Sequence, residues 1–357
     1  MTIGVEEEFL LVDPATRRPA SRAAEVLARV TDLPPGARAQ RELSAAQVEF
    51  SSGVCADLAE LREHLVAGRR ALADAARAEG LWLVATGMPP LADRRPRSSA
   101  GERFERVDEL YRAQVTGYQC CGCHVHVGVP DPETAVRVVN HLRPWLPTLL
   151  ALGANSPFDG DADTGYASWR LMRQAAFPGS GVPPLSRTAA EHDARVRRLV
   201  DSGVLVDANQ TFWLARPSPR YPTVEVRVAD AAATVDDALL QAALTRALVD
   251  TAVTAGAPPE PDEQVLAAAV WSAARHGLSG PGVDPATGRQ VPAMDLVGAL
   301  LEHVSDALGD DRDLVGRLVG DVLRRGTGAD RQLRAGSPGA AVDLLACTPS
   351  EAGSPLS

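Results

Sequence analysis

Four short stretches carry residues able to act together on a charged substrate. Glu6 and Glu8 stand two apart in Gly4-Val5-Glu6-Glu7-Glu8-Phe9-Leu10-Leu11, and Glu49 lies in Gln47-Val48-Glu49-Phe50-Ser51. His124 and His126 lie in Gly122-Cys123-His124-Val125-His126-Val127-Gly128, and Glu225 and Arg227 in Thr223-Val224-Glu225-Val226-Arg227-Val228. Each stretch alternates polar with apolar residues. That is the period of a strand, so each polar set points to one strand face. Two carboxylates side by side on a face repel unless solvent screens them or a divalent cation sits between them. For any one stretch, a solvated edge strand is the plain alternative. Four strands of the same design point instead to a shared wall of carboxylates, imidazole and guanidinium. Mg²⁺ or Mn²⁺ take oxygen ligands and tolerate one imidazole, and several such ions suit a polyphosphate. Arg227 would then balance charge on a transferred phosphoryl group. His126 reads as a hydrogen-bonded neighbour rather than a ligand. Glu7, on the side of Val5 and Phe9, reads as a structural ion-pair partner. Glu42 lies seven residues before Glu49, an odd offset that places it on the opposite face unless a turn or bulge brings it back.

The elements that must position these residues follow from periodicity. A short helix is predicted over 21–30 with Ser21 as N-cap, and a long one over 57–79 with Asp57 as cap, Leu58, Leu61, Leu65 and Val66 as its stripe and Gly80 as its stop. A strand follows at 82–87 and a helix at 102–114. Asp131-Pro132-Glu133 opens a helix that runs towards Leu152, with Pro144 and Pro147 kinking or splitting it. The polar stretch 155–170, with Phe158, Tyr166 and Trp169 embedded, is an ordered loop feeding a helix. A helix over 186–201, a short strand over 204–207 and Ala-rich helices at about 234–255, 262–276, 292–307 and 311–325 complete the pattern. One domain over 1–349 and a flexible tail over 350–357 are expected.

The 357 residues are 45% hydrophobic and 23% charged with a net charge of −10. That balance fits a globular protein and argues against nucleic-acid or anionic-membrane partners. The positive charge is all arginine, for the chain has no lysine. A P-loop, a protein-kinase site and a Schiff base are therefore excluded, and any phosphate must be held by Arg, backbone N–H groups and metal. Five cysteines at 55, 120, 121, 123 and 347 form no disulfide framework. The trio at 120–123 reads as core packing, since its spacing matches no common zinc pattern. No basic-then-apolar leader pattern opens the chain and no apolar run is long enough to span a bilayer, so a cytoplasmic protein is expected.

Six blocks, in order, resemble the ATP-dependent carboxylate–amine ligases of the glutamate–cysteine ligase type 2 family. They are Gly4–Phe9, Gly122–Val127, Asn155-Ser156-Pro157-Phe158, Asp163-Thr164-Gly165-Tyr166-Ala167-Ser168-Trp169-Arg170, Arg216–Arg227 and Gly326-Thr327-Gly328-Ala329-Asp330-Arg331-Gln332. The resemblance implies an α+β fold like the glutamine synthetase and glutamate–cysteine ligase catalytic domain: a curved, mainly antiparallel sheet backed by helices, with a funnel-shaped site. It implies that ATP converts a substrate carboxylate to an acyl phosphate, which an amine attacks; glutamate plus cysteine is the name-bearing pair. It implies metal ligands at Glu6, Glu8, Glu42, Glu49, His124 and Glu225, with Glu225 and Arg227 as the catalytic pair. Arg227 and Arg331 would hold the nucleotide, and Arg170, Tyr166 and Asn155 the substrate. ATP and Mg²⁺ (or Mn²⁺) are the implied cofactors, an amino-acid carboxylate and an amine the partners; a homo-oligomer is left open. Two positions depart from the family pattern: Leu214, where an acidic residue is usual, and Asp159, where an aromatic one is common. A metal-dependent hydrolase using His124 and His126 to activate water, and an inactive binding protein of the same fold, are the competing readings.

Overall fold

The computed structural model describes residues 1–94 and 96–347. Its frame is an antiparallel sheet of seven strands: β1 (Ile3–Val12), β2 (Arg38–Arg41), β3 (Gln47–Ser51), β4 (Trp82–Val84), β5 (Gly122–Gly128), β6 (Ala215–Pro217) and β7 (Thr223–Asp230). The path runs β6-β7-β5-β1-β3-β2, and β4 pairs with the far end of β1. This is the mainly antiparallel α+β architecture that the alternating stretches predict. The expected tail over 350–357 lies outside the described residues.

Alternation decides which side each strand buries. Ile3, Val5, Phe9 and Leu11 of β1, Val48 and Phe50 of β3, Val125 and Val127 of β5 and Val224 and Val226 of β7 all enter the main core. The helices form where the sequence signals them. They are α1 (Ala23–Leu27), α2 (Leu58–Ala78), α3 (Glu102–Tyr111), α4 (Pro132–Leu142), α5 (Leu146–Leu152), α6 (Trp169–Gln174), α7 (Ala189–Asp201) and α8 (Val235–Thr254). The C-terminal third adds α9 (Glu263–His276), α10 (Ala293–His303), α11 (Ser305–Leu308), α12 (Arg312–Arg325), α13 (Gly328–Arg334) and α14 (Pro338–Leu345). Helices α2 and α8 pack on β1, α8 also on β5, α4 on β6 and α5 on β7. Asp57 accepts the Glu60 N–H at 2.9 Å to start α2, and Gly80, at φ +73, follows its end. Pro144 splits the long helical run: α4 stops at Leu142, a 3₁₀ turn spans Arg143–Trp145, and α5 resumes. Among the described residues no helix is long and apolar enough to cross a membrane.

Three local expectations change. Ser21 does not cap α1, which begins at Ala23 after Arg22 with no side-chain cap. Residues 204–207 form no strand. Gly203, at φ +76, turns the chain, Gln210 Oε1 takes the Val206 N–H, and Asp207 caps the 3₁₀ turn Ala208–Gln210. Leu205 is buried there without strand pairing. The strands of that region are β6 and the pair Phe212–Trp213, which the sequence reading passed over.

One polar pair stands inside the apolar layer. Arg69 of α2 reaches Glu7 in a two-pronged bond, Nε to Oε2 at 3.0 Å and Nη2 to Oε1 at 2.6 Å, and also donates to the Ala232 carbonyl. Glu7 is thus the structural partner its face predicted. A buried pair that loses one member leaves the other charge uncompensated. Arg69→Met is therefore expected to cost ~3–5 kcal/mol of unfolding free energy by urea denaturation. A loss below about 1 kcal/mol, the range of exposed pairs, would show that the pair is not what ties α2 to β1.

Candidate active site

Strand register brings the polar residues together. Glu8 faces Glu49 and Glu6 faces Ser51 across β1 and β3; Glu6 faces His124 and Gly4 faces His126 across β1 and β5. Glu225 faces His126 across β7 and β5, and Arg216 faces Glu225 across β6 and β7. Directly opposed residues share a sheet face, so one face holds the whole set. Glu42 joins it because β2 and β3 form a hairpin: the chain leaves β2 at Arg41, and Glu42 starts the connection back to Glu49. This face is the floor of a funnel of about 350 Å³. Its opposite wall includes Phe104, Val107, Tyr118, Phe177 and Phe212, and Arg41, Arg103, Arg220 and Tyr221 also line it.

Two groups of ligand atoms gather on the floor. Glu6, His126 and Glu225 place one ligand atom each within 4.8 Å of the others, and so do Glu8, Glu42 and Glu49. The second group is strained by its own charge. Burial, and after it the charge of Glu42, pushes the Glu8 carboxyl up to about 8. Burial together with Glu6, Glu42 and Glu8 raises Glu49 as well. In the first group, burial would raise Glu6, but hydrogen bonds and charge from His124 and His126 outweigh it and hold it well below the usual range. Burial and the Arg227 charge lower His124 to about 3, so its ring is neutral. The Nε2 atoms of His124 and His126 are both buried without a hydrogen-bond partner. Crowded carboxylates and orphaned imidazole nitrogens are what divalent cations would satisfy, so the residues present fit the implied metals.

The histidines exchange their expected places. His126 Nδ1 meets Thr223 Oγ1 at 2.9 Å, which leaves Nε2 to the group with Glu6 and Glu225. His124 lies between the groups, 3.4 Å from Glu6 and 3.8 Å from Glu8. Residues two apart on β5 share a face, so strand alternation gives no ground for the expected ranking of His124 above His126.

Glu225 is bracketed by two guanidiniums. Arg216 Nε donates to it at 2.8 Å, and Arg227 Nη1 donates from the same strand. Burial would raise this carboxyl, but Arg227 and Arg216 hold it well below the carboxylate range. Arg216 is fixed further by the carbonyls of Asn209 and Thr211. The sequence reading quoted Arg216 without a role; its hairpin register opposite Glu225 was the available signal. The Arg227 side chain keeps 17% of its surface open to the funnel.

Four expected site residues do not line the funnel. Asn155 is buried, its Nδ2 given to the carbonyls of Ala85 and Ala231 and its Oδ1 taken by Gln332. Tyr166 packs edge-on against Trp169 and Trp271 under the Arg275 guanidinium. Arg331 donates to Asp237 at 2.5 Å and to the Thr327 carbonyl, tying α13 to the start of α8. Arg170 is 1% exposed, below the closed end of the floor beside Gly122. The Asn155 and Arg331 side chains are taken up in holding elements together, Tyr166 packs in an aromatic cluster, and Arg170 is buried with two of its donors unmet. The cysteine trio is core: Cys120 Sγ lies 3.3 Å from Met88 Sδ, Gln47 donates to Cys121 Sγ, and burial pushes Cys120 up to about 12.

With this geometry in place, the relatives are informative. The family model for glutamate-cysteine ligase family 2 (GCS2) matches residues 2–343. A Saccharopolyspora erythraea protein provisionally named glutamate–cysteine ligase 2-2 is 51% identical over 355 residues, 97% of this chain and 91% of that protein. The fold is similar to a Francisella tularensis glutamate–cysteine ligase in complex with AMP, with a TM-score of 0.70 at 13% identity over 96% of this chain and 87% of that one. It is similar also to a bifunctional glutathione synthetase from Pasteurella multocida, with a TM-score of 0.71 at 13% identity over 98% of this chain and 52% of that one. The chain belongs to glutamate-cysteine ligase family 2. It is an ATP-dependent ligase that forms a carbon–nitrogen bond.

If each acidic group holds one cation, Mn²⁺ titration followed by electron paramagnetic resonance should count two tight equivalents per chain. Glu49→Gln should remove one and Glu225→Gln the other, because each change deletes one of three ligands. Unchanged stoichiometry in both variants would refute the two-group assignment.

Proposed function

We propose that the protein uses ATP to activate an amino-acid carboxylate and transfers the acyl group to an amine, on the funnel floor between the two acidic groups. A carboxylate oxygen attacks the γ-phosphorus of ATP; the bond to the β-phosphate oxygen breaks, giving ADP and an acyl phosphate. The amine nitrogen then attacks the acyl carbon; the carbon–oxygen bond to phosphate breaks, leaving an amide, phosphate and a proton. Glutamate and cysteine are the pair suggested by the names of the relatives.

The residues divide this work by position. Divalent cations held by Glu6, His126 and Glu225 and by Glu8, Glu42 and Glu49, with His124 between them, would neutralise the polyphosphate. Arg227 places a permanent positive charge where charge develops on the transferred phosphoryl group. Glu225 and Arg216 keep that guanidinium from swinging away, and the funnel walls restrict water. The observation that carries the reading is the joining of two three-ligand groups and a partly open arginine on one sheet face.

The deciding experiment measures ADP release from MgATP with single amino acids and then with acid–amine pairs, glutamate and cysteine included. ADP that appears only with a particular pair supports the ligase and names its substrates. ADP with no acid added indicates an ATPase, and no ADP with any pair, where Mn²⁺ supports hydrolysis of an amide or phosphodiester, restores the hydrolase reading. With the active pair in hand, Arg227→Ala should lower kcat by about 10²–10³-fold, the usual loss on removing one preorganised charge from a transition state.

A further inference from the structure

Arg170 has an unusual environment for a residue expected to meet substrate. Its side chain is buried, and its Nε and Nη1 have no hydrogen-bond partner. Its Nη2 donates to one acceptor, the carbonyl of Arg227, at 3.3 Å. That carbonyl lies in the β-bulge of β7, where the pairing with β5 slips between Val226 and Ala229. A bulge frees backbone groups from the ladder and re-aims the side chain it carries. The Arg227 N–H goes to the Leu214 carbonyl at 2.8 Å on the other side, so both peptide groups of Arg227 are held from outside the β5–β7 ladder.

The guanidinium is itself placed with care. Asp230, fully buried, lies 3.8 Å from its Nη1 and accepts from Ser156 Oγ, Ser168 Oγ and the Asn155 N–H at 2.7–2.8 Å. Ser156 Oγ also takes the Arg170 N–H at 3.1 Å. Gly122 clears the space: a Cβ there would collide with Arg170 Nη2 and with His124 Nε2. A buried guanidinium with two unmet donors is costly, and is retained where its position is needed.

We propose that Arg170 is a positioning residue: it holds the β7 bulge through the Arg227 carbonyl and so aims the Arg227 guanidinium into the funnel. It touches no substrate. The proposal rests on the role given to Arg227 above. Asp230 and the serines of the 155–170 loop set Arg170, Arg170 sets the bulge, and the bulge sets Arg227.

A double-mutant cycle tests this. Dissociation constants for Mg·AMP-PNP, by calorimetry, and kcat/KM for ADP release are compared for wild type, Arg170→Met, Arg227→Ala and the double variant. Arg227→Ala is expected to weaken nucleotide binding about tenfold and Arg170→Met about threefold or more, with the double variant within about twofold of Arg227→Ala, because residues acting as one unit are not additive. The KM for the acid substrate should stay within about threefold of wild type in Arg170→Met. Additive losses overturn the proposal. So does wild-type behaviour of Arg170→Met, or a large rise in the acid's KM with nucleotide binding intact, which would make Arg170 a substrate ligand. If Arg170→Met does not fold by circular dichroism, Arg170→Lys replaces it; it keeps the charge without the planar fork and should reproduce the coupling to Arg227. Should the wild type bind Mg·AMP-PNP yet release no ADP with any pair, the ligase reading fails while the binding cycle still decides the role of Arg170. Absence of nucleotide binding in the wild type overturns both.

Discussion

Glu8 and Glu49 stand directly opposite one another in adjacent strands, with Glu42 beside them, and every other feature of the site answers that repulsion. The hydrogen bonds that reach this trio come from neutral donors: the Gly122 and Leu43 N–H groups, Gln40 and Ser51. The other acidic group is different. Glu225 sits between Arg216 and Arg227, and Glu6 leans on two imidazoles. One end of the floor therefore has two guanidiniums bonded to its carboxylate, whereas at the other the charges of Arg170 and Arg227 act on Glu8 without offsetting burial and Glu42. On the function proposed above, a polyphosphate with its cations would supply positive charge at the second group and meet a protein cation at Arg227, an electrostatic asymmetry that suits directional phosphoryl transfer.

The apolar side makes the crowding tolerable. The main core locks the strand register, and a slip of one residue would carry every carboxylate to the buried face. Glu7 shows what such an exchange would require: it points the other way and needs a two-pronged buried arginine from α2 to stay there. Beyond Glu8 the floor closes, because Leu10 and Val12 on the same side of β1 are covered by Val342 and Leu345 of α14. The site is as long as the stretch of β1 that this helix leaves open.

Much of this was legible in the sequence because the strand period is two. Alternation placed Glu6, Glu8, Glu49, His124, Glu225 and Arg227 on one face without knowledge of the strand order. Glu42 was legible only as a question, since a hairpin connection has no fixed period. The four expected residues that do not line the funnel share one origin. Asn155, Tyr166, Arg170 and Arg331 were chosen from motif blocks, and a motif marks a residue's family without saying whether its side chain faces a ligand or a neighbouring element. Arg331 has Asp237, 94 residues away in sequence, and Asn155 has Gln332, 177 away. Contacts of that separation leave no local pattern. The absent strand at 204–207 failed for a related reason: Leu205 is apolar because it is buried, and burial without a ladder partner looks like a strand in a short window.

The two departures from the family pattern can be weighed by where they lie. Leu214 packs into the main core and lends its carbonyl to Arg227, so the missing acid there removes no side chain from the funnel. Asp159 accepts the Trp169 indole N–H at 2.8 Å and lies near Arg173, in the loop that frames Asp230 rather than on the floor. Neither side chain lines the funnel. The walls above the floor include Arg41 at the end of β2, Arg103 and Phe104 on α3, Phe177 after α6, and Arg220 and Tyr221 in the turn between β6 and β7. Apart from Arg41 these come from segments outside the sheet strands, joined only by folding. The Ser218–Tyr221 turn is the part of that wall most closely coupled to the floor, for Tyr221 meets the His126 ring edge-on at 5.9 Å and accepts from Arg38. The turn at the mouth of the funnel and the first acidic group on its floor are thus in direct contact at His126.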